Sequence, residues 1–176
     1  MMRLTLLVFL TLFNMELVVQ GQSAKVLELR KAYKAALKDA KEAEDFYRKL
    51  ADQKGSDPVE MAYRAASQAL MAKNSKVLNK KMSYLKASDK IFHTAIEANP
   101  GNIEIRFLRF AIGTNLPSFI QNDQSIEDDK ETLIENLPKA AEYGIGKEFK
   151  KEILEYVFNS GKCSKEEEKK LKAMMD

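Results

Sequence analysis

The sequence predicts an all-α protein of six to eight helices in antiparallel hairpins, arranged as an irregular solenoid or as a helical bundle. Two observations lead to this prediction. Apolar residues recur at three- and four-residue steps along most of the chain after residue 22, which is the spacing of one helix face. Turn-forming residues interrupt this pattern, most clearly at Gly55–Pro58 and Asn99–Asn102.

The first 21 residues have the pattern of an export signal. Met1-Met2-Arg3 is a short basic start, Leu4–Phe13 is an uncharged apolar run, and Val19-Gln20-Gly21 offers small residues for cleavage before Gln22. The apolar run is shorter than the roughly 20 residues that a membrane-spanning helix needs. We therefore expect residues 1–21 to be cleaved and residues 22–176 to form one exported domain, periplasmic or secreted. Retention of the N-terminal segment in the mature protein is the alternative.

The first half of the domain reads as three helices. We expect one long helix from Ala24 to about Gln53, because its apolar pattern contains neither Gly nor Pro. Asp57 followed by Pro58 is typical of a helix start, with Asp as the N-cap and Pro in the first turn. A break at Asn74-Ser75 separates this second helix from a third.

The third helix ends at a turn around which the chain is organised, Asn99–Asn102. Pro100 cannot continue a helix, Gly101 tolerates a positive φ, and Asn102 can cap the following helix. Ser88, Phe92, Ala95 and Pro100 have the spacing of the second helix of a tetratricopeptide repeat, so Ser88–Asn102 resembles that family. The resemblance implies a solenoid with a groove between hairpins that binds a peptide or a partner helix.

The helix after this turn carries Arg106 and Arg109 on one side of an otherwise apolar sequence. Because a largely buried guanidinium group needs an acceptor, we expect both to pair with Glu127–Asp129. The alternative is that they line a groove and bind a carboxylate or a phosphate. Arg106, Arg109, Tyr63 and Phe119 are the predicted partner-binding residues.

The rest of the chain predicts three more helices. Pro117 ends the arginine helix, and Phe119 is expected to lie beneath the loop that follows. A helix from Ile126 to about Asn136 is expected to be capped by Asp123 or Ser125. Another contains Phe149–Phe158, and Ser164 begins the last one.

No set of residues in the sequence predicts catalysis. His93 is the only histidine, so clustered histidine ligands for a metal are absent from the sequence. Cys163 is the only cysteine, has no internal disulfide partner, and is interpreted as a turn residue. We therefore predict a protein that is not an enzyme and has no cofactor.

Charge favours a protein partner over nucleic acid. Lys25–Lys81 is rich in Lys and Arg, but acidic residues are interleaved with them, and an exported protein rarely meets DNA or RNA. The predicted function is a non-catalytic exported interaction module that binds a protein or peptide. The alternative is a helical envelope protein that binds anionic membrane surfaces through its basic N-terminal helices.

Overall fold

The computed structural model describes residues 24–53 and 55–175, which form eight α-helices and no β-strand. The predicted all-α class is therefore confirmed, whereas the predicted signal segment, residues 1–21, lies outside the described residues. The first helix, α1, spans residues 24–36. The others are α2 (Ala40–Ala51), α3 (Pro58–Asn74), α4 (Leu78–Ala98), α5 (Ile103–Thr114), α6 (Asp123–Asn136), α7 (Lys147–Asn159) and α8 (Lys165–Met175). Short 3-10 helices occupy Ser118–Ile120 and Leu137–Tyr143.

Several predicted helix starts are confirmed by their capping hydrogen bonds. The Asp57 carboxylate accepts from the backbone N–H groups at the start of α3, and the Asn102 side chain does the same for α5. At α8, the Ser164 backbone N–H donates to the Glu167 carboxylate at 2.7 Å, and the Glu167 N–H donates back to Ser164 Oγ. These bonds satisfy amides that have no partner within their own helix, so each cap fixes where its helix begins.

Two predicted boundaries are wrong. The expected single helix from Ala24 to Gln53 is broken after residue 36, because the Asp39 carboxylate accepts from the first backbone N–H groups of α2 and starts a new helix. The helix expected from Ile126 begins one turn earlier, at Asp123, and its cap is Asn122. In both places a local side-chain acceptor decides the boundary more strongly than the apolar period.

The helices enclose two apolar cores on opposite sides of α5. Ile105 and Leu108 face the first core, together with buried residues of α1–α4. Ile103 and Phe110 face the second, together with buried residues of α6–α8. Residues 103 and 110 are two turns apart and so lie on one helix face, with 105 and 108 on another. The predicted burial of α5 is confirmed, and this helix joins the two halves of the domain.

Helix α3 packs closely against α2, α4 and α5, whereas α4 and α5 contact each other only sparingly. Within the α3–α4 hairpin, the Ser88 hydroxyl donates to the Ala65 carbonyl at 2.9 Å, and Phe92 and Ala95 are buried. Because α4 and α5 both rest on α3 but separate from each other, the space between them stays open on one side. That opening is the candidate site.

Candidate interaction groove

An apolar groove of about 500 Å³ lies between α4 and α5, with α3 beneath it. The loop after α5 and the 3-10 helix at Ser118–Ile120 complete its far side. We call it the α3–α5 groove. Its lining residues are Leu37, Ala66, Ala69, Leu70, Ala72, Lys73, Leu78, Lys81, Met82, Leu85, Ala111, Ile112, Asn115, Leu116, Pro117, Phe119 and Ile120.

Small side chains form the floor of this groove. Ala66, Ala69 and Ala72 follow one another at three-residue steps along α3 and all face the opening. Alanine removes bulk from a helix surface without weakening the helix, because it is the strongest helix former. The floor therefore leaves room above it for side chains that the described part of the chain does not supply.

Large apolar side chains stand exposed around the rim. Leu78 is 70% exposed and Phe119 is 85% exposed, and Leu37 is exposed as well. Val77, the neighbour of Leu78, is a fourth exposed apolar residue at this end of the helices. The prediction that Phe119 lies beneath its loop is wrong, because the 3-10 helix turns the ring outward. Exposed apolar residues gathered at one concave surface are typical of a binding site.

The groove continues along α4 into a second recess of about 260 Å³. The two share Met82, Leu85, Ile112, Leu116 and Ile120, so they adjoin each other, and we call the groove and the recess together the channel. The recess extends the channel toward the Asn99–Asn102 turn as far as Phe92 of α4, and it adds polar groups from α6. Its far end is thus less apolar than the groove.

Basic side chains border the channel and lack acidic partners. From Met61 to Ser88 the chain contains no Asp or Glu, but it contains five lysines at positions 73, 76, 80, 81 and 86. No carboxylate of the described residues forms an ion pair with any of the five. Lys73 and Lys81 line the groove and Lys86 lines the recess. The channel border therefore carries an excess of positive charge, with the Asp89 carboxylate of the recess as its acidic exception.

Two lysines of the basic N-terminal segment are paired. Lys25 Nζ lies 2.6 Å from the Glu60 carboxylate, and Lys34 Nζ lies 2.6 Å from that of Glu152. Four other lysines of α1, α2 and the turn between them form no ion pair with a described residue: Lys31, Lys38, Lys41 and Lys49. The α3–α4 side differs from them because no acidic residue lies between Met61 and Ser88 in the sequence.

The two predicted arginines bind one buried carboxylate. Arg109 donates through Nε and Nη2 to Asp129 at 2.7 and 2.8 Å, and Arg106 Nη1 donates to the same residue at 2.9 Å. Arg106 Nε also donates to the Pro100 carbonyl at 2.8 Å. The predicted pairing with the acidic segment is confirmed, with Asp129 as the acceptor. Arg109 and Asp129 also line the recess, whereas Arg106 lines neither cavity.

Tyr63 lies in the first core rather than at the groove. Its side chain is 1% exposed, and its hydroxyl donates to Glu104 at 2.5 Å. Glu104 in turn accepts two hydrogen bonds from Arg30. Burial, together with the Glu104 carboxylate, raises the pKa of the Tyr63 phenol well above its usual value. Tyr63 is thus placed to hold the core together and is not accessible to a partner in this structure.

The one histidine and the one cysteine of the sequence lie on different elements, His93 in α4 and Cys163 between α7 and α8. His93 is exposed on α4. Cys163 is half-buried, and burial, with the Glu167 carboxylate nearby, raises the pKa of its thiol, which makes it a poorer nucleophile. Within the described ranges, no group of three or more His, Cys, Asp or Glu side chains is arranged to hold a metal ion.

The resemblance implies a groove between hairpins, but of its lining residues only Phe119 is predicted from the sequence. Leu78, Met82 and Leu85 read as ordinary core positions of α4, because the period of a helix shows which residues share a face but not whether a neighbour covers it. The sequence does contain one signal of the charged border: the 28 residues from Met61 to Ser88 contain no acidic residue. A stretch of this length with charge of one sign only indicates a surface suited to an anionic partner.

Comparison with protein-family models, with curated proteins and with solved structures finds no match to this chain. Among the described residues, no helix combines the length and the apolar character required to cross a bilayer. The geometry of the groove and its charged border are therefore the basis for the functional proposal.

Proposed function

We propose that this protein is a non-catalytic, exported interaction module that holds a protein or peptide segment in the α3–α5 groove. The observation that carries the proposal is the combination of an alanine floor with exposed Leu37, Leu78 and Phe119 on the rim. A ligand that covers these side chains removes apolar surface from water, which is the main driving force for most protein association.

The resemblance to tetratricopeptide repeats over Ser88–Asn102 supports the proposal, because that family uses grooves between helical hairpins to bind peptides. The residues that carry the resemblance lie on α4 and in the turn that separates α4 from α5. Ser88 and Phe92 both line the recess. The part of the chain that resembles a binding repeat and the groove are therefore contiguous.

Site-specific photo-cross-linking tests the proposal. We would replace Phe119 with p-benzoylphenylalanine in cells that express the protein, irradiate, and look for adducts by mass spectrometry. Leu27 on α1 is the matched control position, since it is also a large exposed apolar residue but does not line the groove. We expect a discrete protein adduct from position 119 and none of the same mass from position 27.

The Ala69→Leu variant completes the experiment. Because Ala69 lines the groove, the larger leucine side chain should extend into it and occupy volume that a bound segment needs. We expect it to abolish the adduct at position 119. If the adduct persists in this variant, or forms equally from position 27, the groove is not the binding site.

A further inference from the structure

We infer that the occupant of the α3–α5 groove is an amphipathic α-helix of another protein, with acidic residues beside its apolar face. This inference rests on the proposed function and specifies the chemistry of the partner. It follows from the hydrogen-bonding capacity of the groove, its length along α4, and the charge of its border.

The groove favours a helix over an extended peptide. Its lining is predominantly apolar, and the polar side chains in it are Lys73, Lys81 and Asn115. The described residues contain no β-strand, so an extended segment would find no sheet edge to bind its backbone. Its N–H and C=O groups would lose water without gaining partners, which is unfavourable. A helix satisfies these groups internally and can bury its side chains at no such cost.

The channel is long enough for several helical turns. Leu78, Leu85 and Phe92 lie at seven-residue steps on α4 and all line the groove or the recess. Fourteen residues at about 1.5 Å each give a length of about 21 Å, or nearly four turns. Alanines at positions 66, 69 and 72 let another helix approach α3 closely, with its large side chains inserted between those of the rim.

The border selects an acidic helix. Lys73, Lys81 and Lys86 line the channel without ion-pair partners. The lining contains two carboxylates, and that of Asp129 is already bound by two arginines, which leaves Asp89. Carboxylates flanking the apolar face of a bound helix would meet these ammonium groups, whereas lysines in the same positions would be repelled. The lysine border therefore sets which amphipathic helices bind, and the apolar groove supplies the contact area.

The chain's own acidic helices are not available as occupants. Ile126 and Leu133 of α6 and Leu171 of α8 are already buried in the second core. A second copy could offer these faces only by opening that core. A flat membrane surface would contact the rim but leave the alanine floor unfilled. A helix of a different protein would contact the rim and would also fill the space above the alanine floor.

Two synthetic peptides test the inference. Both are capped helices of about 16 residues, matched to the length of the channel, with leucines at i, i+3, i+4 and i+7 steps. One carries Glu and the other Lys at the flanking positions. Binding to the protein as purified from the expressing cell is followed by fluorescence anisotropy. We expect the acidic peptide to bind about tenfold more tightly than the basic one, with a preference that shrinks at high salt.

Charge reversal supplies the decisive variant. In Lys81→Glu/Lys86→Glu the preference should invert, so that the basic peptide now binds more tightly. The matched control is Lys139→Glu/Lys147→Glu, which changes net charge equally at two exposed lysines that line neither cavity. The control should keep the acidic preference. In the protein that keeps Lys81 and Lys86, Ala69→Leu should abolish binding of the acidic peptide.

The failures are distinguishable. Equal binding of both peptides, lost in Ala69→Leu, would overturn the acidic preference but leave the groove function intact. Peptide binding unaffected by Ala69→Leu would overturn helix docking in the groove. Binding to phosphatidylserine vesicles but to neither peptide would replace the helix with a membrane surface. Self-association that Ala69→Leu abolishes would replace it with a second copy. No peptide binding together with no cross-link from position 119 would overturn both proposals.

Discussion

Arg30 and Glu104 are 74 positions apart in the chain and form a two-fold hydrogen-bonded ion pair at the junction of α1 and α5. Arg30 Nε and Nη2 lie 2.6 and 2.7 Å from the two Glu104 carboxylate oxygens. Glu104 is almost fully buried, and its carboxylate also accepts a hydrogen bond from the Tyr63 hydroxyl. The Arg30 guanidinium also stacks over the Phe149 ring of α7. One buried group thus connects four helices.

Replacing Arg30 with Ala should destabilise the protein strongly, because it leaves the Glu104 charge buried with only the tyrosine as donor. We expect a loss of about 3 kcal/mol in the free energy of unfolding. The control is Lys34→Ala on the same helix, which removes an exposed ion pair of similar length to Glu152 and should cost less than about 1 kcal/mol. Urea unfolding measures both. Equal losses would contradict a special role for the buried pair.

Asp129→Ala should cost more than the loss of either arginine that binds it. The mutation leaves two partly buried guanidinium groups without their shared acceptor, for an expected loss of about 3 kcal/mol. In Arg106→Ala, Asp129 keeps both hydrogen bonds from Arg109, so about 1 to 2 kcal/mol is expected. Chemical denaturation of the single and double mutants measures the coupling. Additive effects of Arg106→Ala and Asp129→Ala would contradict this assignment.

Glu167 should make stability fall in acid. Burial by itself would raise the pKa of its carboxyl, but hydrogen bonds from Ser164 and Lys130 outweigh that effect and hold the pKa below the ordinary 4.5. A carboxyl whose folded pKa is lowered contributes stability above its unfolded pKa, and this contribution disappears as the pH falls through the folded value. In Glu167→Gln, the free energy of unfolding should depend less on pH below about 4.5. Glu166→Gln, with an exposed side chain, is the control and should retain the dependence of the original protein.

Ala69→Leu should fold with nearly unchanged stability, since its added atoms enter the open groove. Ala62→Leu on the same helix places an identical change in the closed first core and should cost about 1 to 3 kcal/mol through overpacking. Thermal unfolding followed by circular dichroism compares the two. If Ala69→Leu is as destabilising as Ala62→Leu, position 69 does not face open space, and its use as a groove-blocking variant fails.

Sequence reasoning succeeded where the deciding interaction is local. The caps at Asp57, Asn102 and Ser164 each act on amides two or three residues away, so the residue type and its position suffice to predict them. The break at Asp39 is equally local, but the long apolar pattern around it predicts one continuous helix. The cap formed by Asp39 shows that a capping side chain can end a helix whose apolar period continues.

The long-range partners required the fold. An apolar helix that carries two arginines predicts hydrogen-bond acceptors for both guanidinium groups, because charged groups are rarely buried unpaired. This reasoning pointed to the acidic segment that contains Asp129. Nothing local connects Arg30 with Glu104, since their contact depends on how α1 crosses α5. The apolar character of Phe119 predicts a buried ring, yet the 3-10 helix at Ser118–Ile120 leaves the ring exposed to solvent.

The sequence by itself therefore determined the helices, most of their ends and the all-α class, because helix formation depends on residues within a few positions of one another. Only the tertiary structure decided which apolar faces are covered. Leu85, facing the groove, and Ile105, in the core, both satisfy the helical period, and they differ because α3 and its neighbours close over Ile105, while α4 and α5 diverge beside Leu85. The open groove follows from that divergence.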